Sequence, residues 1–124
     1  ARLAARHATV EEVRVLEGLV EEDRQLLGDP DALARANRRF HEQVHLASHN
    51  RYLVQQLDLV HRSMALMATT SLAVEGRGAV ALDEHSAIVA AIKAGDGDAA
   101  DAALRAHISS AYETRLRRVA GVVQ

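Results

Sequence analysis

The chain of 124 residues has no cysteine, no tryptophan and a single proline, and its only aromatics are one phenylalanine and two tyrosines. Without cysteine there are no disulfides and no thiolate zinc sites. With so few aromatic rings, the core must come from the aliphatic side chains that make up most of the 48% apolar content. Long apolar runs are also missing. The longest, AIVAAI at 87–92, falls far short of the roughly 18 residues needed to cross a bilayer. No signal-peptide pattern is present. A large basic surplus is absent too: the net charge is −2, and the one basic cluster is Arg115, Arg117 and Arg118. A chain that grips nucleic acid by itself shows a basic face. These absences predict a soluble cytoplasmic domain with no membrane partner and no DNA contact of its own. Its length corresponds to one domain, 1–124.

What the chain has in quantity is histidine, seven in all, and helix punctuation. No alternating strand pattern occurs. The opening ARLAARHA reads as a short helix; its start without Met fits either a missing N-terminal part or removal of an initiator Met. Thr9 to Glu12, TVEE, has the form of a capping box and opens a helix expected to reach about Leu27 and close at Gly28. Asp29 as N-cap, with Pro30 at the first helical position, starts a third helix to about Ser48. Asn50 caps a fourth, to about Val74, and EGRG (75–78) reads as a loop. A fifth helix covers about 80–94 and ends at Gly95; Asp96 or Asp98 caps a sixth, to about Val119. The pattern predicts an all-α antiparallel bundle of six to seven helices with short connections.

The stretch ANRRFHEQVH (36–45) stacks Asn37, His41 and His45 at steps of four, so they share one side of a helix. Each residue turns the helix by about 100°. Taking Phe40 as the middle of the apolar stripe Leu33, Ala36, Phe40, Val44 and Ala47, Asn37 lies near about +60° and His41 near about +100°. Both sit on the shoulder of the buried face. His45, near about +140°, and His49, near about 180°, turn to solvent. His85 falls inside the stripe Ala81, Leu82, Ile88, Val89 and Ile92, and His107 lies at the centre of Ala100, Ala103, Leu104 and Ala111. His61 is near the middle of Leu53, Leu57, Val60 and Met64.

A buried imidazole without a partner costs about 1–3 kcal/mol. A lone His in an apolar stripe is ordinarily a core residue bonded to a hydroxyl or carbonyl. Three or four inward His on separate helices are different, because a small bundle has one interior in which to meet. The Ala residues around His107 leave room there for something besides side chains. Imidazole nitrogens suit Zn, Ni, Co, Cu or Fe, and an amide oxygen from Asn37 extends the range to Mn. Three imidazoles and one amide would leave coordination positions open, as in sites that bind a further ligand.

Three segments together resemble a known family: NRRFHEQVHLASHN (37–50), EHSAIVAAIKAGD (84–96) and AADAALRAHI (99–108). They are similar to the C-terminal ligand-binding (FCD-type) domain of the FadR subgroup of GntR-type bacterial transcription regulators. LAARHATVEEVRVLEGLVEED (3–23) resembles that domain's opening helices. The resemblance implies an effector-binding and dimerisation domain with an interior pocket. It also implies a homodimer, and DNA contact only through a winged helix-turn-helix domain N-terminal to this segment. It implies a divalent transition metal (Zn, Ni or Mn) held by Asn37, His41, His85 and His107, and a small carboxylate effector bound beside it. The family's first ligand is usually Asp; here it is Asn37, which brings no charge. Such a site holds its ion less tightly and keeps more positive charge, which suits an anionic effector. His61 and Arg62 lie on the helix that lines the pocket in this family, and an Arg there would clamp a carboxylate bidentately.

Two other functions compete. A di-iron bundle needs two Glu-x-x-His pairs, and the one present, Glu42 with His45, points outward. A mononuclear metalloenzyme needs a general base near the metal. Glu84 turns about 100° away from His85, so the reading is a regulator and not an enzyme. A metal-free dimerisation module would give the three His ordinary core contacts. The charge runs EEDR (21–24) and RLRR (115–118) read as solvated faces.

Overall fold

A computed structural model describes residues 1–121, apart from the side chains of residue 61 and residues 64–71. The chain is all-α. Helices α1 (Arg2–His7), α2 (Val10–Asp23), α3 (Pro30–Ala47), α4 (Arg51–Leu72), α5 (Arg77–Lys93) and α6 (Gly97–Val119) follow one another with short joints. The caps expected from sequence set most of the ends. The Thr9 hydroxyl accepts from the Glu12 N–H, and the Thr9 N–H donates to the Glu12 carboxylate. Asp29 accepts from the Ala32 N–H with Pro30 at the start of α3. Asn50 accepts from the Leu53 N–H at 3.0 Å, and Asp96 rather than Asp98 caps α6 through the Ala99 N–H.

Two boundaries differ from the expectation. Helix α2 stops at Asp23 and tightens into a single 3-10 turn, Arg24–Leu26, before Gly28 is reached. A tightened last turn satisfies carbonyls that a helix end leaves open, and the Asp29 N–H then bonds to Leu26 O at 2.9 Å. Helix α5 begins at Arg77, inside the segment expected to be a loop. Gly76, at φ 80°, makes the left-handed turn into it, a conformation that costs glycine little. The joint from α5 to α6 is compact. Gly95 at φ 70° donates to Ile92 O, and the Asp96 N–H reaches back to Ala91 O. This is the Schellman pattern, and the same Asp96 then caps α6. The joint therefore fixes how His85 and His107 face each other.

The helix contacts form a closed circuit: α2 on α3, α3 on α4, α4 on α6, α6 on α5, and α5 back on α2. Helix α1 packs against α3, α5 and α6. The stripes on α3 and α5 face the inside, as their spacing required: Leu33, Ala36, Phe40, Val44 and Ala47 are buried, and so are Ala81, Leu82, Ile88, Val89 and Ile92. An apolar cluster joins Leu16, Val20, Phe40, Val44, Ile88, Ile92 and Ala100 to Ala4 of α1. Phe40 belongs to this cluster and also touches the histidines described below. Among the described residues, no helix is long and apolar enough to cross a membrane.

Candidate metal centre

His41 from α3, His85 from α5 and His107 from α6 are all buried and meet inside the circuit of helices. One ring nitrogen from each lies within 4.8 Å of those from the other two. The Nε2 atoms of His41 and His107 are 3.2 Å apart. His85 stacks on Phe40, with ring centroids 4.0 Å apart and planes 10° from parallel, and meets both other imidazoles edge-on.

The hydrogen bonds assign the tautomers. His107 Nδ1 is 2.8 Å from Glu84 Oε1, so it donates to that carboxylate. In a neutral ring the Nε2 of His107 is then the acceptor, and His41 Nε2–H donates to it. The His107 lone pair therefore points into the cluster. Glu84 is held in turn by Arg77, whose Nη2 lies 2.8 Å away and whose Nη1 donates to the Ser110 hydroxyl. Burial pushes Glu84 up, but its bonds to Arg77 and His107 and their charges bring it below the ordinary carboxylate value. Burial also lowers His107, with Glu84 opposing and the Arg77 charge adding to the fall. His85 is pushed down to about 3 by burial, with the His107 and Arg77 charges contributing. Both nitrogens of His85 are buried without a hydrogen-bond partner.

Such an arrangement fits a divalent ion. Zinc–nitrogen bonds of about 2.0–2.1 Å place ligand nitrogens roughly 3–3.4 Å apart. The His41–His107 pair already has that spacing, and His85 needs only a small inward shift. The unpartnered His85 ring is the stronger sign, because a buried polar atom without a partner is rare unless something fills the need. The ring's low affinity for protons keeps it neutral, the form that ligates.

Most of the sequence matches known proteins. Residues 1–110 match the family model described as the FCD domain. The chain is 34% identical over 121 residues, 96% of its length and 52% of the relative's, to the galactonate operon transcriptional repressor of Escherichia coli (strain K12). It is 31% identical over 115 residues, 91% of its length and 44% of the relative's, to the HTH-type transcriptional repressor NanR of the same strain. The chain belongs to the FCD domain family. It spans about half the length of the curated relatives it matches. These matches, to transcriptional regulators of the GntR type, support a regulatory domain rather than an enzyme.

The other residues singled out from sequence fall in different places. Asn37 is half-buried and lines a small cavity together with His85 and Asp23. Arg62 is exposed and pairs with Asp58, one turn away at 3.0 Å. The side chain of His61 lies outside the described residues. His49 is exposed, bonding Glu12 at 2.7 Å, and His45 is half-buried.

Three further residues escaped the sequence reading. Glu84 turns away from His85, as its angle required, but what it turns toward is His107 on the next helix. Arg77 sat in a segment read as loop and is buried at the start of α5. Asp23 belongs to EEDR, read as a solvated face; it is 2% exposed, and burial raises its pKa, with Arg39 opposing. Its place at the inner end of α2, four residues from Leu27 and three from Val20, was the one available signal.

These shifts set a pH dependence for the metal-free chain. The folded pKa values of His85 and His107 lie below the unfolded value of 6.5. Below about pH 6.5 the unfolded chain takes up protons that the folded chain refuses, so stability is full above that pH and falls toward pH 3. The loss approaches about 1.4 kcal/mol per pH unit for His85. Asp23, with its raised pKa, works the other way as it protonates. Urea midpoints in chelator at pH 7.5, 6.5, 5.5 and 4.5 are expected to drop below pH 6.5, and His85→Leu is expected to flatten the drop. An unchanged slope in the variant would count against a neutral, desolvated His85.

Proposed function

We propose that this domain senses a small carboxylate through a divalent metal held by His41, His85, His107 and Asn37. The sensed signal passes to a winged helix-turn-helix DNA-binding domain outside this chain. The observation that carries the reading is the convergence of three buried imidazoles from three helices, one of them with no partner for either nitrogen. When bound there, a divalent ion offers a Lewis-acid anchor for a carboxylate. Glu84 orients the His107 ring, Phe40 holds the plane of His85, and Asn37 supplies an uncharged oxygen donor. Because Asn37 brings no charge, the site stays more positive than one with an acid at that position and favours an anion. His61 and Arg62 on α4 are the residues we assign to effector contact. The similarity to a galactonate operon transcriptional repressor supports a short hydroxyacid as the effector class.

A homodimer fits the surface of α6. Ile108, Tyr112, Leu116 and Val119 are exposed and recur every three to four residues, which makes one apolar stripe along that helix. Binding that differs between two conformations of such a dimer would shift their populations and so change DNA affinity.

A metal-free pocket is the second reading. The His41–His107 bond favours it, since those two rings already satisfy each other in part. Calorimetric titration with galactonate and other short hydroxyacids separates the two, run with zinc, nickel or manganese and again in chelator. The metal reading expects binding only with metal present. Equal binding in chelator would favour the metal-free pocket, and no binding under either condition would sink carboxylate sensing.

A further inference from the structure

Asp23 ends α2 almost fully buried, and its Oδ2 makes no hydrogen bond. It lines the same small cavity as Asn37 and His85. His85 carries two more unpartnered atoms, its Nδ1 and Nε2. One of those nitrogens approaches His41 and His107 and belongs to the cluster. The other still needs an acceptor. The cavity, about 10 Å³ by the space open to a water's centre, is just large enough for one water.

The neighbouring ring shows how such a need is met. His107 donates from Nδ1 to Glu84 and turns Nε2 toward the cluster. Ligating imidazoles commonly have this outer carboxylate, which sets the tautomer and makes the inner nitrogen a better donor. We infer that Asp23 does for His85 what Glu84 does for His107. Its Oδ2 accepts, through one water in the cavity, the proton on the outer nitrogen of His85 and so aims the inner nitrogen at the metal. The inference rests on the metal reading above. It makes Asp23 a positioning residue rather than a ligand, consistent with its absence from the group of convergent donors. It also returns to the neighbourhood of the ion the negative charge that Asn37 does not bring. The carboxylate comes from α2, a helix that supplies none of the four proposed ligands.

Cobalt(II) tests this, because its visible spectrum reports the geometry of its ligands. The full chain, stripped with chelator, would be titrated beside Asp23→Asn and Asp23→Leu, with thermal midpoints recorded without metal. Both variants are expected to bind cobalt about 10- to 100-fold more weakly, with a shifted spectrum. The metal-free midpoint should not fall, since a buried carboxylate that makes no direct hydrogen bond through Oδ2 has been removed. Should Asp23→Leu fail to fold, the nearly isosteric Asp23→Asn decides. Unchanged affinity and spectrum in the variants would overturn the role of Asp23 alone. So would a lower metal-free midpoint with an unchanged spectrum, since that marks a merely structural residue. A parent chain that takes up no cobalt would overturn the metal centre and this inference together.

Discussion

Replacing His85 and His107 together with alanine is expected to abolish metal uptake: about one ion per chain in the parent, none in the variant. The measurement is metal content by mass spectrometry after dialysis against zinc, nickel and manganese in turn, on protein purified without chelator or a histidine tag. The expectation follows from the donor count. His41 and Asn37 alone would leave two protein donors, too few for a stable site. Thermal unfolding gives an independent readout. A ligand present at about 100 times its dissociation constant stabilises the folded state by about 2.7 kcal/mol. For a chain of this length that corresponds to a rise of about 10 °C in the parent. The variant should show no rise. Comparing loaded with stripped samples of the same variant cancels any cost of the truncation itself. A parent that takes up no ion from any of the three would leave the imidazoles to meet an effector directly.

The second large effect is expected at Phe40. This ring is 0% exposed, stacks on His85 at 4.0 Å and meets His41 edge-on at 5.5 Å between centroids. It belongs to the apolar cluster and also touches two of the histidines. Phe40→Ala should cost about 3–5 kcal/mol, a large share of a total stability of roughly 5–15 kcal/mol. Phe40→Leu keeps most of the volume but loses the stack, and should cost about 1–2 kcal/mol. Urea unfolding in chelator measures both. A cost below about 1 kcal/mol for Phe40→Ala would mean that the packing around His85 is looser than the geometry shows. Metal affinity should fall in the same order, because His85 would lose the flat surface that holds its plane.

Much of the fold was legible in the sequence because its determinants are local. Thr9 with Glu12, Asp29 with Pro30, Asn50 and Asp96 each satisfy N–H groups within three residues, so their effect needs no distant partner. The burial of His41, His85 and His107 was legible for a related reason. A helix turns by a constant angle, so the side facing the interior follows from the apolar stripe. Both departures were at ends without such a cap. The 3-10 turn after Asp23 and the early start of α5 at Arg77 depend on how the chain must turn to bring the next helix into contact.

By itself, then, the sequence determined an all-α bundle, its capped helix ends and the inward side of α3, α5 and α6 on which His41, His85 and His107 lie. Only the tertiary structure decided that Glu84 serves His107 instead of its neighbour His85, that Arg77 is buried behind it, and that Asp23 reaches the cavity of Asn37 and His85. The division has one physical cause. Periodicity fixes direction around a single helix axis, whereas contacts between helices depend on their rotation and axial offset. Those follow from how the whole circuit of helices packs.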